Sequence, residues 1–305
     1  MIKFDKKTDK IAFIAPASGC NDKSGELDIE NSQERLINTI KIYSDNGFNC
    51  IYDKTIFLKS ELGYFAAPRE ERLKQLKNAI LDPEVKIIAA FRGGYGSTEI
   101  VFDCLDTKPI IPKTLIGFSD ITVLHFLFNQ KYKLPTIHGA MGVDHISMIE
   151  EVIEVLDGKE MHFNLENIND PAQSLDSILN GEIVGGNLSL ICNMIGTKLH
   201  PDFSGKIVFV EDVNEKGYYI HRFLMHMKNA GLFEGVKAMI FGDFSNSDDH
   251  MQATIQQFSN HHIKNIPAFV TSGIGHGKIN YPVVIGGSGS IDKKILKIVS
   301  PFELV

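Results

Sequence analysis

The chain has 305 residues, 43% of them hydrophobic and 23% charged, which is ordinary for a soluble protein with room for one large or two medium domains. A net charge of -7 and the lack of a dense Lys/Arg cluster exclude a nucleic-acid surface and point to a small-molecule partner. No apolar run approaches the roughly 20 residues that cross a bilayer, so no membrane partner is expected.

In the first half, short β-rich runs alternate with helical patterns. Ile11–Ala15 reads as a buried strand stopped by Pro16 and Gly19. The spacing of Leu36, Ile37, Ile40 and Ile42 predicts a helix from about Glu30 to Asn46, ended by Gly47. Strands are expected at Phe48–Tyr52, Val85–Phe91, Thr114–Gly117 and Pro135–Ile137. Helices are expected at Pro68–Leu81, burying Leu73, Leu76 and Ile80, and at Ile146–Leu156. This alternation predicts an α/β fold whose N-terminal domain is a parallel sheet covered on both faces, flavodoxin- or Rossmann-like.

The polar stretch from Asn164 to Pro171 reads as the crossing between domains, giving an N-terminal domain over 1–163 and a C-terminal one over 172–305. In the second half, strands are expected at Ile183–Gly185, Ile207–Val210, Ala238–Phe241, Ala268–Val270 and Ile295–Val299. Helices are expected at Tyr218–Ala230 and Met251–His262, so this domain reads as smaller and mixed α/β.

The first ten residues lack the apolar core of a secretory signal, so a cytoplasmic protein is expected. The four cysteines, Cys20, Cys50, Cys104 and Cys192, are scattered without metal-ligand spacing and read as reduced thiols. No His, Cys, Asp or Glu pattern is specific for a metal, and no cofactor is expected.

Chemistry concentrates where strands end. The string Leu115-Ile116-Gly117-Phe118-Ser119-Asp120-Ile121 reads as a strand, a tight turn, a serine and a helix start, the layout of a nucleophile elbow. Ile121 stands where the hydrolase version has its second glycine, and a plain helix cap by Ser119 would also fit. The loop Arg92-Gly93-Gly94-Tyr95-Gly96-Ser97 follows another strand and can aim N–H groups at an anion. The Gly94 and Asp120 N–H groups are candidates for an oxyanion hole. A phosphate loop is the alternative, though the Walker lysine is missing.

A serine nucleophile needs a base and a group to orient it. Among eleven histidines, His276 stands out because Gly275 and Gly277 flank it, and His138 follows a strand near the elbow. Glu211-Asp212 closes a strand and offers an orienting carboxylate, or a salt bridge or cap.

These residues together resemble the LD-carboxypeptidase family of serine peptidases, which includes the muramoyltetrapeptide carboxypeptidases. The matching strings span nearly the whole chain: Ala15-Pro16-Ala17-Ser18, Gly63-Tyr64-Phe65-Ala66, Arg92 to Ser97, Gly117-Phe118-Ser119-Asp120, Gly185-Gly186-Asn187-Leu188, Ile195-Gly196-Thr197, Glu211-Asp212 and Gly275-His276-Gly277. The resemblance implies a triad of Ser119 as nucleophile, His276 as base and Glu211 as its orienting partner. It also implies two domains with the site between them, a homodimer, and release of terminal D-Ala from murein tetrapeptides in cell-wall recycling. Arg92 is the candidate for gripping the substrate carboxylate, with Asn187 a lesser candidate for substrate contact. Two rival readings remain: a relative that hydrolyses peptide-nucleotide antibiotics for self-immunity, and a non-catalytic module binding a nucleotide or sugar phosphate.

Overall fold

A computed structural model describes residues 1–20, 27–140 and 146–305. The chain forms two compact units: residues 1–158 with 301–305, and residues 159–300.

In unit 1 the elements are β1 (Ile2–Phe4), β2 (Lys10–Ile14), α1 (Ile29–Asp45), β3 (Asn49–Tyr52), α2 (Arg69–Leu81), β4 (Val85–Ala90), α3 (Ser97–Val101), β5 (Thr114–Gly117), α4 (Thr122–Phe126), β6 (Thr136–His138) and α5 (Ile146–Leu156). The strands β6-β5-β4-β2-β3 lie side by side, every neighbouring pair parallel. Parallel strands need crossovers, and helices supply them, so the strands are near-continuous apolar runs such as Ile87-Ile88-Ala89-Ala90, all buried. The carboxyl ends of β4 and β5 deliver the glycine loop and the elbow.

Helix α1 begins with Asp28 accepting a hydrogen bond from the Asn31 N–H. Its buried face is Ser32, Leu36, Thr39 and Tyr43, whereas Ile37 is 56% exposed. The apolar spacing of Leu36, Ile37, Ile40 and Ile42 thus located the helix but misplaced its face, because the buried stripe includes two small hydroxylated residues. In α2 the fully buried positions include Arg72 and Gln75 beside Leu76 and Ile80, while Leu73 is only half-buried.

Unit 2 contains β7 (Met161–Asn164), β8 (Glu166–Asn167), α6 (Asp170–Gln173), β9 (Leu179–Asn187), α7 (Leu188–Met194), β10 (Lys206–Val213), α8 (Gly217–Asn229), β11 (Ala238–Ser245), α9 (Met251–His262), β12 (Ala268–Val270), β13 (Val283–Ile285), β14 (Ser288–Asp292) and β15 (Ile295–Val299). Its sheet runs β7-β15-β14-β9-β10-β11-β12-β8. The centre, β9 to β12, is parallel and both flanks are antiparallel, the mixed α/β character expected.

Residues 164–171 do not form a crossing between domains. They hold the end of β7, all of β8 and the start of α6, where Asn169 caps the helix by accepting from the Ala172 N–H. Residues 159–163 belong to unit 2 because β7 pairs with β15. The last strand, β16 (Phe302–Leu304), pairs with β1 and so belongs to unit 1. Among the described residues no helix is long and apolar enough to cross a membrane.

Candidate active site

The elbow is built by β5. The chain leaves Gly117, passes Phe118 in extended conformation, and places Ser119 at φ 64° at the start of a short 3-10 turn, Ser119–Ile121, that leads into α4. A non-glycine residue in the left-handed region is uncommon and strained, and such strain clusters at functional sites. The bland alternative, a helix cap, would put Ser119 in the extended region, which this φ contradicts. Ser119 is half-buried.

Two histidines support the turn from behind. His125 is buried, its Nε2 is 2.9 Å from the Gly117 carbonyl and its Nδ1 is 2.9 Å from Thr136 Oγ1. Burial pushes the imidazole down to about 4, so it is neutral. A carbonyl only accepts, so Nε2–H donates to Gly117 and Nδ1 accepts from the threonine hydroxyl. His138 is fully buried with its ring 6.1 Å from Phe118 and 6.2 Å from His125. It shapes the elbow as part of the packing behind it.

The glycine loop presses against Ser119. A Cβ added at Gly93 would lie 2.8 Å from the Ser119 Cβ and 3.3 Å from its Oγ, so only glycine allows this approach. The loop is fastened at both ends: Ser18 donates its N–H to the Gly93 carbonyl at 3.2 Å, and its Oγ accepts from the Tyr95 N–H at 3.2 Å. Asp120, 1% exposed, accepts from the Ser97 N–H at 2.7 Å, tying the loop's end to the elbow. Burial raises the Asp120 carboxyl, while the Ser97 bond and the charge of Arg72 oppose that rise. Among the described residues, no turn or loop hydrogen bond takes up the Gly94 or Asp120 N–H. Arg92, at the head of the loop, is exposed and makes no ion pair among the described residues.

In unit 2, β9 and β10 run in register with Asn187 opposite Glu211, and the pairing of β10 with β11 shifts between Val210 and Asp212. Such an irregularity re-aims side chains, and here two consecutive carboxylates, Glu211 and Asp212, are both buried. Glu211 Oε2 is 2.7 Å from His276 Nδ1, with the two side chains 0% and 14% exposed. The carboxylate makes Nδ1 the protonated nitrogen and leaves Nε2 as the basic one. Burial alone would lower His276, but the Glu211 hydrogen bond and charge, with Asp212, outweigh it and raise the imidazole above its ordinary value. Burial raises the Glu211 carboxyl, and the bond to His276 opposes that rise.

The loop that carries His276 is held from several sides. Asp243 donates its N–H to the Ile274 carbonyl at 2.7 Å and accepts from the Gly273 N–H at 3.0 Å. Asn280 accepts from the Gly275 N–H at 3.2 Å. A Cβ at Gly275 would meet Glu211 Oε2 at 2.8 Å, so this glycine lets the loop cross directly over the carboxylate.

Asn187 is 2% exposed. Its Nδ2 donates to Asp212 Oδ1 at 2.9 Å, and its Oδ1 accepts from Ser189 Oγ at 2.7 Å and caps α7 through the Leu190 N–H at 3.2 Å. The side chain thus ties Asp212 to the start of α7. The cysteines are free, and burial pushes Cys50 and Cys104 up to about 11 and Cys192 to about 12, so these three stay protonated thiols. Sequence reasoning did not single out the Asp120 side chain, Arg72, Asp243 or Asn280, which brace these loops. For Arg72 a signal existed: it lies four and eight residues before Leu76 and Ile80, in phase with the buried stripe.

Unit 1 thus holds a strained serine against a glycine loop, and unit 2 a buried Glu–His pair. Comparison with known proteins gives the family. The LD-carboxypeptidase N-terminal domain matches residues 11–139 and the LD-carboxypeptidase C-terminal domain matches residues 180–291. A Rickettsia conorii protein named as a putative carboxypeptidase is 35% identical over 297 residues, covering 94% of this chain and 89% of that one. The murein tetrapeptide carboxypeptidase of Pseudomonas aeruginosa is 26% identical over 254 residues, covering 77% and 76%. The muramoyltetrapeptide carboxypeptidase of Oxalobacter formigenes has a similar structure, with a TM-score of 0.75 at 25% identity, covering 96% of this chain and 99% of that one. The microcin C7 self-immunity protein MccF shares the fold, with a TM-score of 0.75 at 18% identity, covering 98% and 97%. The chain belongs to the LD-carboxypeptidase family, and its class of activity is that of a serine carboxypeptidase.

Proposed function

We propose that this enzyme removes the terminal D-Ala from murein tetrapeptides in the cytoplasm, with Ser119 as nucleophile, His276 as general base and Glu211 as the group that orients it. The observation that carries the reading is the 2.7 Å Glu211–His276 bond through Nδ1, which leaves Nε2 as the proton acceptor. Ser119 Oγ attacks the carbonyl preceding D-Ala as Nε2 takes its proton. The Gly94 and Asp120 N–H groups hold the tetrahedral oxyanion; losing one such donor costs roughly 2.7–4 kcal/mol. The protonated Nε2 then passes its proton to the leaving amine of D-Ala, and water, deprotonated by the same nitrogen, hydrolyses the acyl-enzyme.

A carboxypeptidase must recognise a free terminal carboxylate, and the exposed Arg92 at the head of the glycine loop is the group we assign to it. Arg92→Ala should raise KM by about 10–100-fold, the worth of a charged hydrogen bond, with kcat little changed; an unchanged KM removes that role. Asn187 serves the site by holding Asp212 and acting to keep Glu211 ionised. A homodimer is the assembly we assign to it, checked by light scattering.

Murein-peptide relatives align with 77% of the chain, whereas the likeness to the self-immunity protein is one of fold. Side-by-side turnover of a murein tetrapeptide and a peptidyl-adenylate analogue tests the choice. Preference for the tetrapeptide supports the murein reading, and preference for the adenylate overturns it.

A further inference from the structure

Arg72 has no exposed surface, yet it lies in the middle of the packing between α2 and the glycine loop. Its Nε donates to the Ala67 carbonyl at 3.0 Å, and its Nη1 donates to the Pro16 and Gly96 carbonyls, both at 2.9 Å. Its Nη2 pairs with Glu99, and the guanidinium lies over the Phe65 ring at 4.2 Å from the centroid. The three carbonyls come from three separate segments: the end of β2, the turn before α2 and the end of the glycine loop. A buried charge is costly, and an apolar side chain could fill the same space. What an apolar side chain, or a lysine, cannot do is bond three carbonyls and a carboxylate at once in the planar fork of a guanidinium.

The bonds of Arg72 converge on the loop that touches the nucleophile. Arg72 fixes Gly96, and through Pro16 it fixes the segment whose Ser18 brackets Gly93 and Tyr95. Gly94 lies between these two fastenings. A Cβ at Gly94 would fall 2.5 Å from Ser18 Oγ, so only glycine lets the loop lie this close to Ser18. The charge of Arg72 also reaches the elbow, where it favours the ionised form of Asp120, the acceptor for Ser97.

We propose that Arg72 is a positioning residue of the reaction: with Ser18 as a second strap, it sets the glycine loop so that the Gly94 N–H points at the oxyanion formed on Ser119. This inference rests on the serine-peptidase reading given above. An oxyanion donor acts in the transition state and little in the ground state, so its misplacement lowers kcat and spares KM.

The test is steady-state D-Ala release from the tetrapeptide by wild type, Arg72→Lys, Ser18→Ala and Ser119→Ala, with circular dichroism and Tm for each. Folded Arg72→Lys should lose about 10–100-fold in kcat, approaching the loss of one oxyanion donor, with KM within about threefold. Folded Arg72→Lys with kcat within about threefold of wild type, or with a change in KM alone, overturns the proposal. Should Arg72→Lys fail to fold, the half-exposed Ser18→Ala decides. A fall of about tenfold in kcat at constant KM supports the strapped loop, and an unchanged kcat overturns it. Turnover surviving in Ser119→Ala would remove the nucleophile itself, an outcome separate from either result on the loop.

Discussion

At the scale of single residues, the chemistry turns on one proton and where it rests. Glu211 raises His276 above its ordinary value, so the imidazolium persists to higher pH than in a free histidine. Only the neutral imidazole accepts the serine proton, so kcat/KM should rise with pH along an acid limb whose midpoint lies above 6.5. The stability linkage has the opposite sense: the Glu211–His276 bond contributes fully below the unfolded histidine value and fades as pH rises through the folded one. Glu211→Gln should move the activity limb to lower pH and reduce kcat by about 10⁴-fold, since the amide no longer fixes the tautomer; an unmoved limb would dissociate Glu211 from the base. Gly93→Ala drives a Cβ to 2.8 Å from Ser119, and should reduce kcat while costing about 1–3 kcal/mol in a denaturant melt. Full activity in that variant would mean the loop can retreat from the nucleophile. The proposed catalytic residues were legible as candidates because their types and glycine contexts are distinctive. Their supports were not, since an arginine or aspartate in a string looks the same whether it faces water or, like Arg72 and Asp120, is sealed inside.

At the scale of elements, periodicity found most helices and central strands but did not fix which face each one buries. In α1 the inward stripe uses Ser32 and Thr39, and Ser32 is satisfied there because its Oγ accepts from the Cys20 N–H at 3.0 Å. A polar residue with a local backbone partner is invisible to a hydrophobic pattern. Short elements were missed for a related reason. Helix α7 depends on its cap, with Asn187 accepting from Leu190 and holding Asp212 beneath. Asn187→Ala removes both, and should lower unfolding free energy by about 1–2 kcal/mol and reduce kcat through the displaced carboxylates. A variant with unchanged Tm and kcat would show that neither bond matters. The segment 164–171 reads as a polar linker, yet Asn169 organises it, its Nδ2 donating to the Ile266 carbonyl at 2.8 Å and its Oδ1 accepting from the Ala268 N–H at 3.0 Å.

At the scale of the whole chain, the fold class was legible from alternation of elements, but the path of the chain between its two units was not. Residues 301–305 return to unit 1, where β16 pairs with β1 and Phe302, 1% exposed, packs its ring 5.7 Å from that of Phe4. Pairings between chain ends have no local sequence signature. Phe302→Ala should therefore cost about 3–5 kcal/mol and lower Tm; an unaltered Tm would mean the terminal pairing adds nothing to unit 1. The central claim is that Ser119 is the nucleophile of a carboxypeptidase acting on murein peptides. Its most direct test is release of D-Ala from L-Ala-γ-D-Glu-meso-diaminopimelate-D-Ala by wild type and by Ser119→Ala. The account predicts release by the wild type that disappears in a folded Ser119→Ala protein; equal release by both would contradict it.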